Sequence, residues 1–167
     1  MYAYAGNNPV RYIDPAGNFI IEALLVIEIA KAETQAVGAT YDFISQYQKM
    51  KEENIKGNDH YNHAMANSRA TLRGRYGKAM AKFLSFLREA TDVIRKGDSD
   101  KDVREDNIAN RFGREIKPGE TPEKYNEKFD TRKGGHRADL TDKASEESPK
   151  NVREFLKSYF ARDKYEE

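Results

Sequence analysis

Residues 59–70 read DHYNHAMANSRA, and this stretch predicts a helix with one polar side. His63 and Asn67 are four residues apart, which places them one turn apart on the same side of an α-helix. Ala66 and Ala70 lie beside them, and such small side chains permit the close approach of a neighbouring helix. We therefore expect this polar side to face other helices.

Two more predicted helices, over residues 76–96 and 99–112, carry polar side chains that could meet that side. A histidine among carboxylates and amides suits general acid and base catalysis, with His63 transferring the proton and Asn67 holding its ring. The same oxygen-rich set suits a divalent cation. It also fits a solvated helix face with ion pairs and a hydrogen-bonded pair between helices. The six candidate site residues are His63, Asn67, Glu89, Asp92, Asp106 and Asn110.

The helical pattern extends through most of the chain and predicts a mainly α-helical single domain of about five or six helices. Residues 113–150 hold three prolines and few large aliphatic side chains, which predicts a long polar loop before the last helix. Besides the three helices above, helices are predicted over residues 19–37, 41–53 and 151–162.

The N-terminal stretch differs from the rest because it is dense in turn signals. Asn-Asn-Pro at residues 7–9 and Asp-Pro-Ala-Gly at residues 14–17 favour turns, since proline fixes φ while glycine and asparagine tolerate positive φ. We expect residues 1–18 to form a short extended remnant and residues 19–167 to form the helical domain.

Composition excludes several classes of function. The 29 basic and 28 acidic residues give a net charge of +1, so the chain as a whole has no field that would steer it to nucleic acid or an anionic membrane. The absence of cysteine excludes disulfides, thiolate metal sites and a cysteine nucleophile. The apolar run FIIEALLVIEIA is too short to span a bilayer and contains Glu22 and Glu28. No secretory signal begins the sequence.

A cluster of basic residues follows the polar helix and could contact the phosphates of a nucleic acid. A solvated loop is the alternative interpretation. The candidate substrate-binding residues are Arg69, Arg73, Arg75 and Lys78.

Residues 2–17, YAYAGNNPVRYIDPAG, resemble the end of the Rhs core domain. That domain is the shell-forming repeat module of bacterial Rhs toxins, and its final motif pairs a Y-x-G-N-N-P-V turn with D-P-x-G. The matching positions are Tyr4, Gly6, Asn7, Asn8, Pro9, Tyr12, Ile13, Asp14, Pro15 and Gly17.

The resemblance implies that the helical domain is a polymorphic toxin used in interbacterial competition. Its partners would be the Rhs core shell of the parent polypeptide and a cognate immunity protein, and it would be delivered into a target bacterium, for example by type VI secretion. A hydrolase, with a nuclease slightly favoured by the basic cluster, is the first interpretation of its mechanism. A membrane-active, pore-forming toxin and a non-enzymatic binding module are the alternatives.

Overall fold

The computed structural model describes residues 19–55, 57–96 and 100–136. The chain divides into two compact units, Met1–Thr34 and Gln35–Glu167. The predicted extended remnant over residues 1–18 and the predicted last helix over residues 151–162 lie outside the described residues.

The first helix, α1, spans Phe19–Glu53. The sequence predicts two helices here, but α1 continues through Gly38, where a Cβ atom would lie 2.2 Å from Nη1 of Arg73. In the second unit, α1 buries Ala39, Asp42 and Gln46, which are spaced three and four residues apart and so share one side of the helix.

The second helix, α2, spans Asp59–Leu72 and is buried on every side. All nine positions from His60 to Ser68 are buried, although most of these side chains are polar or small. Gly57 and Gly74 flank the helix with φ values of 82° and 113°, a left-handed conformation that glycine adopts without a steric penalty. The chain can therefore turn sharply at both ends of α2.

Two further helices pack around α2. The third, α3, spans Arg75–Lys96, and the fourth, α4, spans Asp100–Arg114. α2 contacts both of them, and α3 contacts α4. One apolar cluster joins α2 to α4 and contains Tyr61, Ala64, Met65, Ile108, Ala109 and Phe129. A smaller cluster of Ala39, Ala70 and Ala81 joins α1, α2 and α3.

Glycines on α3 and α4 bring these helices unusually close to α2. A Cβ atom on Gly77 would lie 2.2 Å from the carbonyl oxygen of Ala70, and one on Gly113 would lie 2.3 Å from that of Ala64. Ser68 Oγ donates a hydrogen bond of 3.0 Å to the Gly113 carbonyl across the same contact. The close helix approach expected from the small residues of α2 is thus present, with glycine as its partner on each neighbouring helix.

The predicted polar loop has more local structure than its composition suggests. A one-turn helix, α5, spans Pro122–Tyr125, and two 3₁₀ turns follow at Glu127–Phe129 and Thr131–Lys133. Phe129 is fully buried and meets Phe112 edge to face at 5.2 Å. Phe129 therefore anchors this segment to the bundle, together with Tyr125, which stacks on Phe112 at 4.6 Å, and Asn126, which donates to Ser68 Oγ at 2.8 Å.

The prediction of a mainly α-helical domain is confirmed, and the described residues contain no strand. Among the described helices, none is both long enough and apolar enough to cross a membrane.

Candidate functional site

Five of the six predicted site residues meet in one buried polar cluster. His63 Nδ1 lies 3.1 Å from Asn110 Oδ1, and Asn67 Nδ2 donates to the same oxygen at 2.8 Å. Asn110 Nδ2 in turn donates to Glu89 Oε1 at 3.1 Å. On the other side of the imidazole ring, His63 Nε2 lies 3.6 Å from Asp106 Oδ2. Helices α2, α3 and α4 thus each contribute to one network.

Arg114 fixes the orientation of the amides in this network. Its Nη1 donates to Asn67 Oδ1 at 2.8 Å, and Ser85 Oγ donates to that oxygen at 3.1 Å. A guanidinium has donors only, so the oxygen of Asn67 must face it and the nitrogen of Asn67 must face Asn110. Asn110 then presents its own oxygen to His63 and its nitrogen to Glu89. We conclude that His63 carries its proton on Nδ1 when the ring is neutral.

Asp106 connects both histidines of α2. His60 Nε2 lies 3.3 Å from Asp106 Oδ1, while His63 faces the other carboxylate oxygen. His60 is 1% exposed and the Asp106 side chain is 15% exposed, so the carboxylate marks the solvent edge of an otherwise buried cluster.

Burial dominates the ionisation of the cluster. It lowers the pKa of His63 from 6.5 to about 4, assisted by the positive charge of Arg88. Burial also raises the pKa of Glu89 well above its usual value, and the neighbouring charge of Asp106 adds to the effect. For Asp106, burial acts to raise the pKa, but His63 and His60 outweigh it and hold the pKa below its usual range. The imidazole of His63 is therefore neutral at neutral pH.

Asp92, the sixth predicted residue, pairs with a neighbour on its own helix, and from there its charge helps to raise the pKa of Glu89. It lies on α3 within 3.8 Å of Arg88 Nε, as a pair four residues apart on one helix. Together they border a groove of about 670 Å³ between α1 and α3, whose apolar lining includes Phe43, Ile44 and Leu84.

The predicted basic cluster is dispersed among separate partners. Arg69 Nη2 pairs with Glu123 Oε1 at 2.9 Å, and Arg73 makes two hydrogen bonds to Asp42, at 2.6 and 2.9 Å. Arg75 contacts the hydroxyl of Tyr76, and Lys78 is exposed. Two of the four basic groups are thus neutralised by carboxylates from distant parts of the chain.

Sequence reasoning missed three participants in the network. Ser85 lies on the buried side of α3, four residues from both Ala81 and Glu89, where a small serine side chain gives no distinct signal. Arg114 lies beyond the predicted end of its helix. His60 lies three residues before His63, a spacing that two histidines often have by chance, so it gives no distinct signal. The four-residue spacing from Asn110 to Arg114 is the one signal that could have placed the arginine on the same side of α4.

The fold and this network define a small helical bundle whose central helix is both polar and buried. A family model described as serum amyloid A protein matches residues 30–135 of the chain, a range that contains the whole network. The chain belongs to the serum amyloid A family.

Individual relatives agree with this assignment. The serum amyloid A-2 protein of Neovison vison is 36% identical over 104 residues, which cover 54% of this chain and 81% of that protein. The serum amyloid A protein of Canis lupus familiaris is 35% identical over 105 residues, covering 55% and 81%. The serum amyloid A-2 protein of Sus scrofa is 33% identical over 123 residues, covering 64% and 95%.

The family match overturns the interpretation of the chain as an Rhs toxin. The toxin function, with its hydrolase, nuclease and pore-forming mechanisms, is wrong, and so are the immunity protein and the Rhs shell as partners, together with nucleic acid or a bacterial membrane as the target of a toxin. Delivery into a bacterium and type VI secretion are wrong for the same reason. The resemblance rested on residues 2–17, a run of glycine, asparagine, proline and aspartate of the kind that turns generally require, and these lie outside the matched range.

Proposed function

We propose that this chain binds lipid surfaces, in the manner of an apolipoprotein, through the N-terminal part of α1. The observation that supports this proposal is a run of exposed apolar side chains. Leu24, Leu25, Val26, Ile27 and Ile29 are each between 50% and 65% exposed.

The arrangement of these side chains favours lipid over a protein partner. Four consecutive residues, Leu24 to Ile27, point in all directions around a helix because each residue advances by about 100°. A partner helix covers one stripe, whereas acyl chains can surround a segment that is apolar on every side. Exposure of such a surface to water is unfavourable by roughly 25 cal/mol per Å². Insertion among acyl chains would remove that surface from water.

The length of the segment favours shallow insertion. The twelve residues from Phe19 to Ala30 extend about 18 Å as a helix, against about 30 Å for the hydrocarbon core of a bilayer. Glu28 and Lys31 form an ion pair of 3.6 Å at the C-terminal end of the segment, where lipid head groups would solvate it. The relatives' names refer to serum, in which lipid circulates as particles bounded by a single lipid layer, and we propose such a layer as the surface.

Flotation of the full chain with phosphatidylcholine vesicles tests this proposal. We expect the wild type to bind, and Val26→Glu to weaken partitioning at least about tenfold, since it replaces an inserted apolar side chain by a charge. Val37→Glu is the matched control, because Val37 lies on the same helix and is 70% exposed, compared with 65% for Val26.

We expect the control to bind within about twofold of the wild type. Absence of binding by the wild type, or equal binding by the two glutamate variants, would reject the assignment of the lipid-binding surface to this segment. Circular dichroism of each variant verifies that the helical bundle is intact.

A further inference from the structure

Three electron-pair donors lie close together in the polar cluster: one nitrogen of His63 and one carboxylate oxygen each from Glu89 and Asp106. The orientation imposed by Arg114 leaves His63 Nε2 as a bare nitrogen when the ring is neutral, and this nitrogen faces Asp106 Oδ2 at 3.6 Å. A lone pair facing a carboxylate oxygen is repulsive, so the arrangement requires a positive charge between the two atoms.

Glu89 supplies the third donor. The residue is 1% exposed, and its Oε1 is occupied by the hydrogen bond from Asn110. Its Oε2 is buried and has no hydrogen-bond partner among the described residues. A buried carboxylate oxygen without a partner is costly, by about 1–3 kcal/mol or more, and needs a physical explanation.

We propose that this cluster binds a divalent transition-metal cation through His63 Nε2, Glu89 Oε2 and Asp106 Oδ2. One ligand atom from each of these residues lies within 4.8 Å of the others. Neither the family assignment nor the proposed lipid binding involves this site.

The chemistry of the donor set matches such a cation. Imidazole nitrogen and carboxylate oxygen bind zinc at about 2.0–2.2 Å, which places two ligands of a tetrahedral ion about 3.3–3.6 Å apart. The distance from His63 Nε2 to Asp106 Oδ2 is 3.6 Å, which matches this spacing, and Glu89 is near enough for one of its oxygens to be the third ligand.

The surrounding residues resemble the outer shell of a metal site. Metal-bound histidines commonly donate their other N–H group to a fixed acceptor, and here Asn110 accepts from His63 Nδ1 while donating to Glu89. The partly exposed carboxylate of Asp106 gives the ion a route from solvent. The amides therefore hold two of the three ligands in place before any ion arrives.

Zinc titration of the full chain, freed of metal by chelation, tests the proposal. We expect calorimetry to show one site, zinc to raise the melting temperature, and cobalt to give the visible absorption of a nitrogen-containing coordination sphere. Glu89→Gln keeps an acceptor for Asn110 but removes an anionic ligand, and we expect at least about tenfold weaker zinc binding. Glu127→Gln is the control, because that carboxylate is half exposed and pairs with Lys133 Nζ at 3.3 Å, and its affinity should remain within about twofold of the wild type.

His63→Gln provides a second variant that can still donate to Asn110 but lacks the Nε2 ligand, and it should also lose zinc binding. Circular dichroism establishes that each variant is folded. The proposal is overturned if the wild type shows neither heat nor a melting shift with excess zinc, as expected when a proton alone bridges the groups. Equal affinities of Glu89→Gln and Glu127→Gln would likewise overturn it, since the zinc would then occupy surface carboxylates.

Discussion

Arg114 determines which nitrogen of neutral His63 carries the proton, and it acts through two intervening amides. The guanidinium orients Asn67, Asn67 orients Asn110, and Asn110 fixes which imidazole nitrogen carries the proton. Each step depends on hydrogen bonds of 2.8–3.1 Å between buried groups, where the wrong amide orientation would place like atoms face to face. The tautomer of His63 therefore depends on three other residues, Asn110, Asn67 and Arg114.

The burial of His63 makes stability depend on pH. Its pKa is about 4 in the folded state and 6.5 in the reference state, so the unfolded chain takes up the proton first as the pH falls. The contribution of His63 to the stability of the folded state is complete above pH 6.5 and is lost as the pH falls from 6.5 to 4. The shift corresponds to a loss of roughly 3 kcal/mol in the free energy of unfolding.

Urea unfolding of the metal-free protein at several pH values between 7 and 4.5 measures this loss, with His63→Gln as the reference. The raised pKa of Glu89 acts in the opposite direction, because a folded state that retains its proton is favoured at low pH. That contribution is present in both proteins and largely cancels in their difference. If the free energy of unfolding changes with pH in the same way in the wild type and in His63→Gln, the imidazole is not the cause of the loss.

The sequence predicted which polar residues of the site would meet but not how they are oriented. His63, Asn67, Asp106 and Asn110 follow from helical spacing and from the small residues that permit a close approach. Asp92 pairs with Arg88 four residues away, and periodicity alone cannot show whether a carboxylate on α3 bonds across to another helix or pairs along its own helix. The catalytic roles first assigned to these residues stay predictions.

At the scale of the helices, glycine determines how closely α3 and α4 approach α2. Alanine normally stabilises a helix interior by about 1 kcal/mol relative to glycine. At Gly113, however, the added methyl group would lie 2.3 Å from a backbone carbonyl that cannot move aside without moving α2. The two helices would have to separate.

We therefore expect Gly113→Ala to lower the free energy of unfolding by roughly 1–3 kcal/mol, as overpacked cores do. Ala79→Gly, at an exposed position of α3, is the companion measurement and should cost about 1 kcal/mol through helical preference alone. Denaturation in urea gives both values. Stabilisation by Gly113→Ala would mean that the helices tolerate a wider separation.

Helix positions could be predicted better than helix ends. Gly74 follows the last turn of α2 and has a positive φ, as is common just after a helix. Helices α1 and α4 instead continue past the predicted ends at residues 37 and 112. Gly38 and Gly113 lie inside these helices, where they admit a side chain or a backbone from a neighbour. Sequence alone does not reveal that neighbour.

At the scale of the whole molecule, both apolar clusters and the polar network lie in the second unit. In the first unit, the structure describes the burial of residues 23–34, and none of these side chains is buried. We expect residues 35–167 to fold without the first unit and to unfold within a few degrees of the full chain, as monitored by circular dichroism during heating.

The same fragment should bind vesicles no better than full-length Val26→Glu. The fragment lacks the apolar segment of α1, and the variant carries a charge within it. An unfolded fragment would show that the bundle depends on residues before position 35. A folded fragment that still floats with vesicles would assign lipid binding to the bundle.

Family membership was the least predictable property at this scale. The helical bundle could be expected from periodicity, but periodicity is shared by unrelated helical proteins and carries no family signal. The turn motif at residues 2–17 is more distinctive in composition, and it directed the functional interpretation to the wrong family. The sequence that identifies the family is spread over residues 30–135, across helices whose individual patterns are ordinary.

The complete enclosure of α2 also constrains the order in which the chain folds. A helix with one apolar side can form early against a single neighbour, but α2 paired with α3 alone would leave His63 and Asn67 facing water without Asn110 and Arg114. Pairing α2 with α4 alone would in turn leave Asn110 without Glu89 of α3, and Asn62 of α2 without Gln46 of α1. The bundle is thus expected to cross one folding barrier in a concerted step, with the central helix acquiring its stability only when the last neighbour docks.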